Sequence, residues 1–148
     1  MRKILKAAKL VLLAGVLVFV MYYFTTPWLD GPSQYTVAPE TDVWRVWTEQ
    51  MQYSPGQRKI MFYVRNCSQD HVEYNVGDLE RLRDGGWYKL KERPHEVTAN
   101  HLTILPGEME RFFPGLDQYG PRLKPGEYRL ILHNHTHQLS SAVEFTIK

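Results

Sequence analysis

Residues 126–133 read GEYRLILH, and this stretch decides the fold because its side chains alternate in character. Tyr128, Leu130 and Leu132 fall on one side of an extended chain, whereas charged residues fall on the other. A period of two is typical of a β-strand that buries one face. A slip of one residue would move charge into the interior, so the pattern also predicts which face meets the core.

The same alternation recurs in two other stretches and, more weakly, throughout the second half of the chain. Turns that contain Pro-Gly or Gly-Gly separate the candidate strands, as at 54–56, 84–86, 105–107 and 124–126. No stretch after residue 41 reads as a helix longer than a turn or two. We therefore expect two packed antiparallel sheets, an all-β sandwich. The predicted strands are 42–49, 58–66, 71–76, 79–83, 87–91, 101–105, 109–113, 126–133 and 142–147, and the alternating apolar positions in the two further stretches are Ile60, Phe62 and Val64, and Val143, Phe145 and Ile147.

Seven short motifs follow one another in order along the chain: Tyr53-Ser54-Pro55-Gly56, Val64-Arg65-Asn66, Leu79-Glu80, Asp84-Gly85-Gly86-Trp87-Tyr88, Leu105-Pro106-Gly107-Glu108, Leu123-Lys124-Pro125-Gly126-Glu127-Tyr128-Arg129-Leu130 and Val143-Glu144-Phe145-Thr146-Ile147. This ordered set resembles the bacterial immunoglobulin-like domains of exported and membrane-anchored proteins. The resemblance covers residues 42–148. It implies an immunoglobulin-like antiparallel β-sandwich, and it implies no catalytic residues. The long polar stretch 133–141 departs from the pattern, so an individual function is expected there.

The N-terminal segment predicts a transmembrane signal-anchor. Residues 10–29 carry no charge and begin LVLLAGVLVFVMYYF, and about 20 residues of helix span a bilayer core of roughly 30 Å. Four basic residues precede this run and Asp30 follows it, so the N-terminus is expected inside and the C-terminal domain outside the bacterial cytoplasmic membrane. The alternative is a cleaved signal peptide, but MYYFTTPW lacks the small residues that cleavage requires. The expected organisation is a basic N-terminus (1–9), an anchor (10–29), a Pro- and Gly-containing spacer (30–41) and one sandwich (42–148).

Composition excludes some classes of function. Of the 18 Lys and Arg residues, four precede Asp30, so residues 30–148 hold 14 against 16 Asp and Glu and carry a charge of −2. A near-neutral domain with mixed signs gives no electrostatic footprint for nucleic acid. Cys67 is the only cysteine, so an intrachain disulfide is impossible, and we expect it to be a partly buried apolar residue.

His133, His135 and His137 form the candidate metal site. If the strand that begins at residue 126 continues to His137, all three imidazoles lie on its outer face, about 6 to 7 Å apart along the backbone. Imidazoles at such spacing bind Zn or Cu, although no carboxylate or thiol partner is evident. The alternative is a solvated hairpin tip.

Trp44, Trp47 and Tyr53 form a possible partner surface. Trp44 and Trp47 fall on opposite faces of one strand, so each competes with the interpretation that it fills the core. Asp78 with Glu80, and Glu108 with Glu110, have same-face spacing, and such carboxylates are expected to face water.

No catalytic motif is present, so an enzyme is not expected. The leading hypothesis is a non-enzymatic interaction or scaffold module, held to the lipid bilayer by residues 10–29 and bound to an unknown envelope protein. One alternative is a metal-binding or sensing protein that uses the histidine stretch. A second is an inhibitor of an envelope peptidase, with loop 93–100 in the peptidase cleft.

Overall fold

A computed structural model describes residues 11–21, 29–38, 41–57, 59–92, 101–120 and 123–148. Beyond residue 28, these ranges form short and medium strands joined by turns, with one 3-10 helix at Leu116–Tyr119. The strands are β1 (Leu29–Pro32), β2 (Trp44–Thr48), β3 (Gln52–Tyr53), β4 (Phe62–Asn66), β5 (Val72–Arg83), β6 (Gly86–Leu90), β7 (Leu102–Ile104), β8 (Met109–Phe112), β9 (Gly126–Asn134) and β10 (Leu139–Ile147).

The strands form two sheets that enclose one core. The large sheet has the order β1-β6-β5-β9-β10-β3, with β7 also paired to β5, and the small sheet has the order β2-β4-β8. The pairs are antiparallel except that of β3 with β10, which is parallel. The predicted all-β sandwich is therefore confirmed.

Aromatic rings at the centre of the core join the two sheets. Phe145 of β10 meets Phe62 of β4 edge to face at 5.8 Å and stacks on Tyr128 at 5.8 Å. Such ring pairs add about 0.5–1.5 kcal/mol each to the burial of their area. The predicted inward positions are confirmed, because all of the following are at most 4% exposed: Ile60, Phe62, Val64, Tyr128, Leu130, Leu132, Val143, Phe145 and Ile147.

The predicted strands 71–76 and 79–83 are one strand, β5, whose pairing with β9 is interrupted by a bulge between Val76 and Leu79. Gly77 lies in this bulge, where an added Cβ would stand 2.6 Å from Nε2 of His133. Glycine allows this close approach, and the bulge lets one long strand pair with β7 near its start and β6 near its end.

Residues 29–38, here called the strap, lie against the domain. The sequence predicted a spacer at 30–41, yet β1 pairs with β6, and the amide of Ser33 donates to the carbonyl of Trp87 at 2.8 Å. Farther along, the amide of Ala38 donates to the carbonyl of Ser140 at 2.9 Å. The physical reason is that β6 presents an open edge of unpaired backbone groups, which the strap satisfies.

Of the predicted anchor, residues 11–21 are helical and exposed. Residues 1–10 and 22–28, which include the whole basic N-terminus and the end of the apolar run, lie outside the described residues. Within the described ranges, none of the helical segments has the length and apolar character needed to cross a bilayer.

Candidate functional site

The outer face of the small sheet carries an unusual set of side chains. Because successive residues of a strand point to opposite sides, positions 45, 47, 63, 65, 109 and 111 point away from the core. Strand register arranges them in two rows. One row is Arg45, Arg65 and Met109, and the other is Trp47, Tyr63 and Arg111, and these six residues are called the outer face below.

The aromatic pair of the outer face is well ordered by stacking. Trp47 and Tyr63 are directly opposite in register, with ring centroids 5.4 Å apart and planes within 9° of parallel. Trp47 remains 37% exposed and Met109 55% exposed. A rigid, partly exposed aromatic pair beside a flexible thioether is typical of protein interface centres.

The three arginines of the outer face have no counter-charge. In the described part of the chain, no ion pair or side-chain hydrogen bond involves the guanidinium of Arg45, Arg65 or Arg111. Glu110 lies beside Arg111 in sequence, but it points inward and accepts a 2.9 Å hydrogen bond from the hydroxyl of Tyr74. Arg45 directly opposes Arg65, an arrangement of like charges that destabilises a sheet. The outer face therefore concentrates positive charge at a stability cost.

The small sheet continues past these rows at one end. The amide of Cys67 donates to the carbonyl of Val43 at 2.8 Å, which extends the pairing of β2 with β4. Cys67 is exposed, so the expectation of a partly buried residue was wrong. The reason is parity, since Cys67 is two positions beyond Arg65 and shares its outward direction.

Of the predicted partner surface, only Trp47 lies at the surface. Trp44 is 2% exposed and donates from Nε1 to the hydroxyl of Ser141 at 3.0 Å. Tyr53 is 4% exposed, and its ring meets Phe145 edge to face at 6.0 Å. Trp44 and Tyr53 are therefore core residues: the side chain of Trp44 crosses from the small sheet to Ser141 of β10, and Tyr53 points into the core from β3 of the large sheet. The opposite orientation of Trp44 and Trp47 is confirmed.

Sequence reasoning missed five members of the outer face. The signal that identifies them is cross-strand register: once β2, β4 and β8 are aligned, three arginines and a second aromatic residue fall beside Trp47. Register depends on tertiary pairing, which single-strand alternation does not supply.

The three predicted metal ligands do not share one strand face. β9 ends at Asn134, so His135 and His137 lie in the turn that follows, and the condition under which all three imidazoles would share one strand face is not met. The turn forms because the side chain of Asn134 accepts a 3.0 Å hydrogen bond from the amide of His137. Gln138 then adopts a positive φ of 52°.

Each of the first two imidazoles has another partner. Nδ1 of His133 lies 2.8 Å from the Ser140 hydroxyl, and Nε2 of His135 lies 2.7 Å from the side-chain oxygen of Asn75. Burial lowers the pKa of His133, with a further lowering from nearby His135 against an opposing effect of Asp78. Among the described residues no three His, Cys, Asp or Glu side chains are grouped so as to hold a metal ion. Nothing in this geometry favours Zn or Cu binding.

A cluster of charged side chains lies beneath the strap. Glu80 is fully buried and accepts a 2.6 Å hydrogen bond from Nε of Arg129, whose guanidinium lies 4.5 Å from the Trp87 ring centroid. The hydroxyl of Tyr35 donates to Asp78. Asp78 and Glu80 therefore do not face water as expected, because the strap covers this side of the large sheet.

The same cluster shifts two ionisation equilibria. Burial, reinforced by the hydrogen bond to Asp78, raises the pKa of the Tyr35 hydroxyl. The hydrogen bond from Lys89 Nζ to Asp78, at 2.7 Å, raises the pKa of Lys89 against the opposing effect of burial. These groups, together with residues of the strap, line a cleft of about 180 Å³. Because the charged groups pair with one another, we assign this cleft as the place where the strap packs on the large sheet.

Loop 93–100, the predicted inhibitory loop, lies outside the described residues. The structure therefore offers no geometry for peptidase inhibition.

Comparison with known families assigns the fold to a class. Residues 40–145 match the model of the bacterial Ig-like domain, and the chain belongs to this family. The resemblance predicted from its motifs is thus confirmed. No curated protein sequence matches the chain.

Some solved structures match the chain at low similarity. A β-glucosidase from Listeria innocua is 13% identical with a TM-score of 0.39, over 71% of this chain and 16% of that one. An alkylpurine DNA glycosylase from Pseudomonas fluorescens, bound to DNA with an abasic site analogue, is 13% identical with a TM-score of 0.41, over 74% and 31%. A β-glucosidase from Erythrobacter marinus is 17% identical with a TM-score of 0.37, over 71% and 15%. The chain spans less than a third of each, and its likeness at this level carries no activity across.

Proposed function

We propose that this chain is a non-enzymatic interaction module of the bacterial cell envelope. In this proposal, residues 10–29 anchor it in the cytoplasmic membrane, its N-terminus is inside, and the Ig-like domain meets an envelope protein outside. The uncharged run and the four basic residues before it support the anchor and its orientation. Membership of the bacterial Ig-like family supports an interaction or scaffold role.

The outer face carries the proposal. A stable sandwich does not need three unpaired arginines next to an exposed aromatic pair, since such a surface is less favourable than one of mixed charges. Trp, Tyr, Arg and Met are the residues enriched where proteins bind one another. The observation that supports binding is therefore the Trp47–Tyr63 stack with Arg111 at the end of its row and Arg45 and Arg65 in the next row.

Photo-crosslinking from the outer face tests the interaction. In cells that produce the full chain, p-benzoylphenylalanine replaces Tyr63, which preserves an aromatic ring at the centre of the face. The matched control places the same residue at Glu144, which is exposed on the large sheet. We expect a discrete protein adduct from position 63 that is absent from position 144. Identical adduct patterns from both positions would contradict a specific surface.

The single cysteine allows a direct test of topology. Cys67 is exposed, so a membrane-impermeant maleimide is expected to label it in intact spheroplasts. The Cys67→Ser variant gives the background, and extraction with alkaline carbonate tests whether the chain stays in the membrane. Labelling that appears only after lysis would place the domain inside and overturn the orientation.

A further inference from the structure

We infer that the outer face binds an acidic, extended segment of a partner protein, with carboxylates held by Arg45, Arg65 and Arg111. This inference rests on the proposed function and adds the chemistry of the partner. The first support is charge. Three of the six outer-face residues are arginines, and their guanidiniums form no ion pair among the described residues. A binding partner therefore supplies the negative charge.

Spacing is the second support. Arg45 and Arg65 are opposite one another, which places their Cβ atoms about 5 Å apart. Arg111 lies two residues, or about 7 Å, farther along the strands and one strand, or about 5 Å, beyond Arg65. Alternate side chains of an extended peptide are about 7 Å apart, so a carboxylate held by Arg45 and Arg65 together places the next one near Arg111.

The chemistry of the guanidinium group favours carboxylate. Its planar donors bind a carboxylate through two parallel hydrogen bonds, and Arg keeps its charge at all physiological pH values. Arg side chains also pack their flat faces on aromatic rings. Trp47 and Tyr63 lie in the same row as Arg111 and next to the row of Arg45 and Arg65.

Apolar contacts favour a protein over a sugar or phosphate polymer. Trp47 is 37% and Met109 55% exposed, and each has an arginine beside it on the outer face. Burying these two side chains requires apolar groups in the ligand. An acidic peptide that alternates carboxylate with apolar residues supplies both contacts, whereas a uniformly polar anion supplies only one.

Binding of a defined probe tests the inference. Full-length chain in nanodiscs of zwitterionic lipid is titrated with a labelled eight-residue peptide that alternates Glu and Val, and anisotropy is recorded. The matched peptide alternates Gln and Val. We expect the acidic peptide to bind more tightly, with an affinity that falls as salt rises. Equal binding of the two peptides would overturn the inference.

Charge variants identify the surface. The triple variant Arg45→Gln, Arg65→Gln, Arg111→Gln is expected to lose about tenfold in affinity, because it removes three exposed ion pairs that are each weak in water. The matched control removes three charges elsewhere, with Arg83→Gln, Lys91→Gln and Lys148→Gln, all exposed. Equal losses in the two triple variants would show a general effect of net charge and overturn the inference.

Two further outcomes separate this inference from the proposed function. Arg-dependent binding to phosphatidylglycerol vesicles, without peptide binding, would make the outer face a lipid-docking surface. Adducts from position 63 that persist in the arginine triple variant would leave the interaction module standing while overturning its acidic partner. An adduct formed only with a second copy of the chain would likewise overturn it.

Discussion

Breaking the ion pair between Glu80 and Arg129 is expected to destabilise the domain strongly. Glu80 is fully buried and the Arg129 side chain is 10% exposed, with 2.6 Å between Oε2 and Nε. Glu80→Met removes the carboxylate but keeps a side chain of similar length. The guanidinium of Arg129 then remains buried with only the Ser33 hydroxyl at 3.2 Å and the Trp87 ring as partners.

The magnitude follows from the cost of an uncompensated buried charge. Removing one partner of a buried pair costs about 3–5 kcal/mol, a large part of the 5–15 kcal/mol that stabilises a typical domain. Replacing both partners avoids that cost, so Glu80→Met with Arg129→Met is expected to lie within about 1–2 kcal/mol of the parent. Oε1 of Glu80 has no hydrogen-bond partner in the described structure, and its removal favours the double variant.

Urea unfolding of the full chain in a mild detergent, followed by tryptophan fluorescence, measures the free energy of unfolding of all four proteins. The coupling between the two sites is the deviation of the double variant from additivity. Single variants that each cost under about 1 kcal/mol, or a double variant whose loss equals the sum of the two single losses, would refute the reasoning.

Three other measurements test the core, the bulge and the tyrosine hydroxyls. Trp44→Ala is expected to cost about 3–5 kcal/mol in urea unfolding, whereas Trp47→Ala is expected to cost about 0.5–1.5 kcal/mol through loss of its stack on Tyr63, and equal losses would contradict their opposite orientations. Gly77→Ala is expected to cost about 1–3 kcal/mol because the new Cβ meets His133 at 2.6 Å, and adding His133→Ala should recover most of the loss if that contact is the cause. Burial and carboxylate partners raise the folded-state pKa of several tyrosines, so above about pH 10, where unfolded tyrosines ionise, the folded chain holds more protons than the unfolded chain. The free energy of unfolding is therefore expected to fall as the pH rises above about 10. The hydroxyls concerned are those of Tyr35, Tyr74 and Tyr119. Absorbance at 295 nm during alkaline titration should show these three hydroxyls ionising only when the domain unfolds. Ionisation of these three hydroxyls near pH 10 in the folded protein would contradict the prediction.

The strands predicted best from the sequence are those that bury the side chains of one face more deeply than those of the other. Alternation at 60–64, 128–132 and 143–147 survives because each apolar side chain meets the opposite sheet, whatever the remaining topology. The second face of β9 was not predictable in this way. Arg129 is 8% and Ile131 0% exposed, because the large sheet is covered on its outer side as well.

The strap and the outer face depend on contacts between distant segments. β1 reads LDGP, which has no strand propensity, and it becomes a strand because β6 has backbone groups to satisfy. The arginines of the outer face are separated by 20 and 46 residues along the chain, and only the register of the small sheet brings them together. The local alternation of apolar residues therefore predicts the two layers of the sandwich, whereas the candidate site can be predicted only when the pairing of the strands is known.

The strap also determines where mechanical load enters the domain. If the preceding residues are fixed in a membrane, tension on the chain reaches the sandwich at Leu29 and is borne first by a four-residue edge strand. Detaching that strand would separate the Ser33 amide from Trp87 and open the charged cluster to water, while the hydrophobic centre stays closed. The attachment point is thus the part of the domain best placed to yield under force before the remainder unravels.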